Sequence, residues 1–146
     1  MTDTSMTLLN RLQQTGDPET WRQLVDLYSP LLTRWLQKYD VQTSDSDDLV
    51  QEVLMAVSQD LTKFNHNGRP GAFRAWLRSI LVFRLRNFWR KRERRPMTPG
   101  DSDLEHRLSQ LDDPASEMSQ LWNQQHDQHV AQRLLAICRQ HFEADT

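Results

Sequence analysis

Cysteine occurs once in the 146 residues, at Cys138, so no internal disulfide can staple the fold. Glycine is nearly as scarce, with four residues, and strand-like alternation of apolar and polar side chains is missing, which leaves a β-rich architecture without support. No run of 18 apolar residues supplies a membrane span, and no charged-then-apolar leader opens the chain. A cytoplasmic location with no membrane contact is therefore expected. Phosphate-cradling glycine loops, nucleophile elbows and activated-cysteine motifs are also missing, which argues against an enzyme. No cofactor is expected.

What the chain does have is charge, unevenly placed. Residues 69–95 hold ten Arg and Lys side chains against the single acid Glu93, threaded with Phe73, Trp76, Phe83, Phe88 and Trp89. Residues 1–68 hold five basic and ten acidic side chains, and residues 96–146 hold three and nine. The formal net charge of −2 thus conceals a middle segment of +9. A local positive field of that size is what a polyanion feels, and nucleic acid is the first partner to consider.

Apolar residues recur at i, i+3 and i+4, which predicts an all-α protein. Leu8, Leu9 and Leu12 mark a short first helix ending at Gly16. Asp17-Pro18-Glu19 then supplies a cap, a first-turn proline and an acid at the positive end of a second helix. Trp21, Leu24, Val25 and Tyr28 line one face of that helix. Pro30 predicts a kink or a restart near residue 29, ahead of Leu31, Leu32, Trp35 and Leu36. A third helix is expected from about residue 46 to 62, capped by acids, with Val50, Val53, Leu54, Val57 and Leu61 on its core side. The opposite side displays Asp48, Gln51, Glu52, Met55 and Gln59, with Leu49 at the edge. Met55 in that acid- and amide-rich face is either an ordinary scattered surface apolar residue or an interface anchor.

Asn65-His66-Asn67-Gly68-Arg69-Pro70-Gly71 is a dense turn signal, and a long helix should follow from residue 71 or 72 to about 94. Phe73, Trp76, Leu77, Ile80, Leu81 and Phe88 form its core face. Arg74, Arg78, Arg86 and Arg90 lie off that face with Val82, Leu85 and Trp89 among them, so the outward side is basic and partly apolar. Arg84 projects into the apolar arc and is expected to snorkel or to pair with a carboxylate of a neighbouring helix. Pro96, Pro99 and Gly100 end this region. Residues 96–118 read as an acidic linker in which Asp101, Asp103, Glu105, Asp112, Asp113 and Glu117 face only Arg107, with Leu104, Leu108 and Leu111 sufficient for one or two amphipathic turns. Composition leaves open whether it lies over the basic surface or is a solvated connection. A final helix over residues 116–142 carries Leu121, Trp122, Val130, Leu134, Leu135, Ile137 and Phe142, and no terminating signal follows, so the chain is expected to be a piece of a longer protein.

His126-x-x-His129 followed by Cys138-x-x-His141 has the outline of a zinc pattern. On one helix, however, His129 and Cys138 stand about 13 Å apart along the axis, too far for one tetrahedral ion, so no metal is expected. The arginines have an ordinary reading too, as a solvated face with Arg92, Arg94 and Arg95 complementing the helix dipole. The excess of positive charge with Trp89 in its midst suits phosphate contact and stacking on unpaired bases better.

Three stretches in order complete the reading: Leu8-Leu9 through Gly16-Asp17-Pro18-Glu19-Thr20-Trp21 to Tyr28-Ser29-Pro30; Asp45-Ser46-Asp47-Asp48-Leu49-Val50-Gln51-Glu52-Val53; and Phe64 through Phe73-Arg74-Ala75-Trp76-Leu77-Arg78-Ser79-Ile80. Together, over about residues 6–95, they resemble region 2 of the extracytoplasmic-function (ECF) sigma factors of bacterial RNA polymerase. The resemblance implies a compact helical bundle of about four helices over residues 1–95, an acidic linker over 96–118, and an incomplete start of region 4 over 119–146. It implies that Asp45, Asp48, Leu49, Gln51, Glu52 and Met55 bind the beta-prime clamp helices of core RNA polymerase. It further implies that Asn65, Asn67, Arg69, Arg74, Arg78, Phe83, Arg86, Asn87, Trp89 and Arg90 bind promoter DNA, at the non-template strand of the −10 element, with bases flipped into protein pockets. Phe83 stands where many relatives carry Asn. An anti-sigma factor is a further partner that the family admits. A second reading, a helical interaction protein whose basic helix binds RNA or an acidic protein, is separated from the first by co-purification with core polymerase.

Overall fold

The computed structural model describes residues 18–39, 41–61, 71–92 and 101–144, with side chains for all of these except 92, 101–104 and 141–144. Five helices run in order: α1 Pro18–Lys38, α2 Thr43–Asp60, α3 Ala72–Arg92, α4 Asp101–Asp112 and α5 Glu117–Ala144. No strand occurs among the described residues, as the helical periodicity predicts. The short helix around Leu8, Leu9 and Leu12, the Asp17 cap and the Pro96–Gly100 break lie outside the described residues.

Pro30 neither splits α1 nor restarts it. Leu24, Tyr28, Leu31, Leu32, Trp35 and Leu36 are buried on both sides of the proline, and a restart would rotate the second half of this stripe away from the core. The Ser29 hydroxyl donates to the Val25 carbonyl at 2.6 Å, and Thr33 donates to the Ser29 carbonyl at 2.9 Å, each one turn back within the continuous helix. Helix α2 begins about three residues earlier than the acids suggest. Gln42 is its extended N-cap residue without a side-chain cap bond, so Asp45 acts inside the first turn against the helix dipole.

Gly71 precedes α3 at φ +78°, a conformation costly for residues with a Cβ. An added Cβ would also lie 2.7 Å from Arg74 Nε. Two apolar faces then leave α3. Phe73, Leu77 and Leu81 are buried as expected, but so are Val82 and Leu85 on the side assigned to solvent. They belong to the same apolar cluster as Leu108, Leu111 and Trp122, and α3 packs directly against α4 and α5 as well as α2.

The acidic linker therefore contains a 12-residue helix where one or two turns were expected. Ser116 caps α5 by accepting from the Ser119 amide at 3.0 Å, and Ser119 in turn donates to the Leu111 carbonyl at 2.8 Å, tying the α4–α5 corner together. Helix α5 returns across α1 and α3. Trp122 is fully buried, edge-on to Trp35 with ring centroids 5.2 Å apart, and its indole N–H donates to the Arg74 carbonyl at 2.9 Å. Beyond Leu134 the side chains of α5 through residue 140 are exposed.

Because Trp122 fills the centre of the described core, Trp122→Ala should lower unfolding free energy by about 3–5 kcal/mol in urea titration. A loss below about 0.5 kcal/mol, the size of a surface change, would make α5 an accessory helix.

Candidate polymerase and nucleic-acid interfaces

Helix α2 buries Val50, Val53, Leu54 and Val57 and turns Asp48, Gln51, Glu52 and Met55 to solvent. Met55 is 59% exposed, the apolar member of an otherwise polar face. Leu49 departs from its expected place. At 3% exposure it belongs to the core, and it also lines the groove between α2 and α3. Asp45 is half-buried.

Between α2 and α3 lies a groove of about 380 Å³. Asp45, Asp48, Leu49 and Glu52 form one wall, and Arg84, Asn87, Phe88, Arg90 and Lys91 the other. Arg84 is half-buried on the groove wall and forms no ion pair within 4 Å among the described residues. Its guanidinium carbon lies 5.9 Å from the Phe83 ring centroid, and its Nε is buried without a hydrogen-bond partner there.

The arginines of α3 fall into separate environments. Phe83, 60% exposed, and Arg90 share an open stripe, with Asn87 half-buried beside them. Trp89 is half-buried, edge-on to Phe88 at 5.7 Å. Arg86 is half-covered, with Nη1 3.0 Å from Asp112 and Nε 3.5 Å from Glu105. Arg74 is paired with Asp127 of α5. Arg78 was expected on the outward side and is 6% exposed, because α4 covers the Val82–Leu85 face next to it. Burial pushes its pKa down while Asp112 pulls it up. Asn65, Asn67 and Arg69 lie outside the described residues. The sequence signal that would have found the covering helix was present: Val82 and Leu85 on the basic side, and Leu104, Leu108 and Leu111 at helical spacing.

Residues 24–95 match the model of sigma-70 region 2. The chain is a sigma-70 family member. The match spans most of α1 and all of α2 and α3. The RNA polymerase sigma factor NccH of Alcaligenes xylosoxydans xylosoxydans is 31% identical over 118 residues, which is 80% of this chain and 62% of that relative. The chain thus spans less than two thirds of that relative's length. No solved structure matches it. No helix among the described residues is long and apolar enough to cross a membrane.

In this sigma-70 family chain, α4 and α5 lie outside the region 2 match, and two histidines fasten α5 to α1. His126 is 5% exposed; its Nε2 lies 2.9 Å from the Tyr28 hydroxyl and its Nδ1 3.0 Å from Asp127. A carboxylate only accepts, so Nδ1 carries the proton and Nε2 accepts from Tyr28. His129 Nε2 lies 2.6 Å from the Leu27 carbonyl, and its Nδ1 3.1 Å from Arg34 Nη2. The guanidinium only donates, so Nδ1 accepts and Nε2 donates. All four ring nitrogens are engaged within the fold.

Burial lowers both histidine pKa values; Arg74 adds to this at His126, and Arg34 and Arg133 at His129, against the opposing Asp127 and Leu27 contacts. The folded state therefore holds both rings neutral to lower pH than the unfolded state does. Stability contributed by them is complete above the unfolded pKa of about 6.5 and falls as pH drops below it, by at most about 1.4 kcal/mol per pH unit per histidine. Urea titrations should show stability declining from pH 7 to pH 5, with a smaller decline for His129→Gln. A profile flat over that range would refute this account of the two rings.

Proposed function

We propose that the chain acts in transcription initiation as a sigma factor of the ECF type, binding core RNA polymerase through α2 and the −10 promoter element through α3. The observation that carries this reading is the sigma-70 region 2 match over residues 24–95, coinciding with a helix that exposes Met55 among Asp48, Gln51 and Glu52. A flat acidic face would suit many cations. An exposed Met set within it supplies desolvated area for a helical partner, with the acids fixing register and orientation. The polymerase beta-prime clamp helices are the partner we assign to it. Leu49 acts from beneath, as a core residue that holds the face in place.

Helix α3 offers two functions on adjacent surfaces. Phe83 gives an exposed aromatic ring for stacking on an unpaired base, and Arg86 and Arg90 give charge for the backbone. Capture of unpaired bases stabilises the opened strand, which is how a protein without a catalytic group favours DNA melting. The role is non-catalytic.

Met55→Asp and Glu52→Lys should each weaken capture of core polymerase by about 2 kcal/mol, roughly thirtyfold, with unfolding unchanged. Undiminished co-purification of polymerase with both variants would remove α2 from the interface. On single-stranded −10 DNA, log affinity should fall with log salt by about 0.7 per phosphate contacted, and Arg90→Ala should reduce the slope by about that amount. A slope near zero would exclude phosphate contact by α3.

A further inference from the structure

We propose that α4 and the first half of α5 form an intramolecular acidic cover that occupies the arginines of α3 and competes with single-stranded nucleic acid for them. The proposal rests on the reading of α3 as a nucleic-acid surface. Its geometry is that of a built-in polyanion. Asp112 and Glu105 of α4 bracket Arg86 at 3.0 and 3.5 Å, with the Ser109 hydroxyl 3.5 Å from Nη2. Asp127 of α5 pairs with Arg74. Between these two points Arg78 is buried in the field of Asp112 and Asp113. Guanidinium groups receive carboxylate and phosphate oxygens in the same forked arrangement, so the acids of the cover occupy donors that a DNA backbone would use.

Two properties make the cover displaceable rather than a fixed clasp. The side chains of Glu105, Asp112 and Asp127 are 60%, 50% and 44% exposed, and ion pairs so exposed contribute only about 0–1 kcal/mol each. Their hold comes from position: Leu108, Leu111 and Trp122 are buried in one cluster with Val82 and Leu85, which fixes the acids over the arginines at high effective concentration. Meanwhile Phe83 and Arg90 remain open. Nucleic acid can therefore meet the open stripe first and exchange for the carboxylates afterwards, their exposed side chains turning away while Leu108, Leu111 and Trp122 stay buried.

The test uses the full chain and a fluorescent single-stranded oligodeoxynucleotide at low salt. The variant Glu105→Gln/Asp112→Asn/Asp127→Asn keeps side-chain shape and removes three negative charges. A control, Asp26→Asn/Asp47→Asn/Asp60→Asn, removes the same charge from exposed acids of α1 and α2. The cover variant should bind about tenfold or more tighter than the unaltered chain, and the control no more than about threefold tighter, the share owed to net charge alone. Equal tightening in both variants, or none in either while the unaltered chain binds, overturns the cover and leaves α3 as a nucleic-acid surface. Absence of binding by all three proteins overturns the reading of α3 and the cover with it.

Discussion

The structure depends on one helix that must be buried on two sides while carrying the chain's positive charge. Helix α3 buries Phe73, Leu77 and Leu81 on one side, with Phe73 against Tyr28 of α1, and Val82 and Leu85 on the side that carries Arg78 and Arg86, and it packs against α2, α4 and α5. Neither face can be left in water without losing about 1.5–3 kcal/mol for each large side chain exposed. Every other helix is arranged to cover one of these faces. Helices α1 and α2 close the first; α4 and α5 close the second and then return to α1 through Trp122, His126 and His129.

Charge is distributed to suit that constraint. Ten cations in residues 69–95 repel one another, and the helices that bury the second face of α3 bring carboxylates with them: Glu105, Asp112 and Asp127. Apolar burial fixes where the acids sit, and the acids lower the cost of gathering arginines on one helix. The same arrangement separates two surfaces on the region 2 portion. The α2 face around Met55 remains unobstructed, whereas the α3 surface is half open at Phe83 and Arg90 and half occupied at Arg74, Arg78 and Arg86.

Much of this was legible in residue spacing. The four-residue recurrence of Val50, Val53, Leu54 and Val57 placed the core side of α2, and the same geometry left Met55 exposed. The turn signal ending at Gly71 placed the start of α3 within a residue. Leu49 sits at the edge of its helix face, where helical geometry alone does not decide between rim and core, and tertiary packing buries it. Arg78 was misplaced because a wheel shows which residues share a side but not whether another helix covers it. Pro30 suggests a kink or a restart from local hydrogen bonding alone, and the restart does not occur because the buried stripe runs through the proline.

The sequence by itself determined that the protein is helical, that positive charge gathers on one segment, and that α2 mixes acids with Met55 on one side, because these follow from residue type and a 100° step. Only the tertiary structure decided which arginines reach solvent and that the acidic segment is a helix seated on the basic one. Both depend on long-range apolar contacts, Val82 and Leu85 joining Leu108, Leu111 and Trp122 in one cluster, and no local rule states which distant faces will meet.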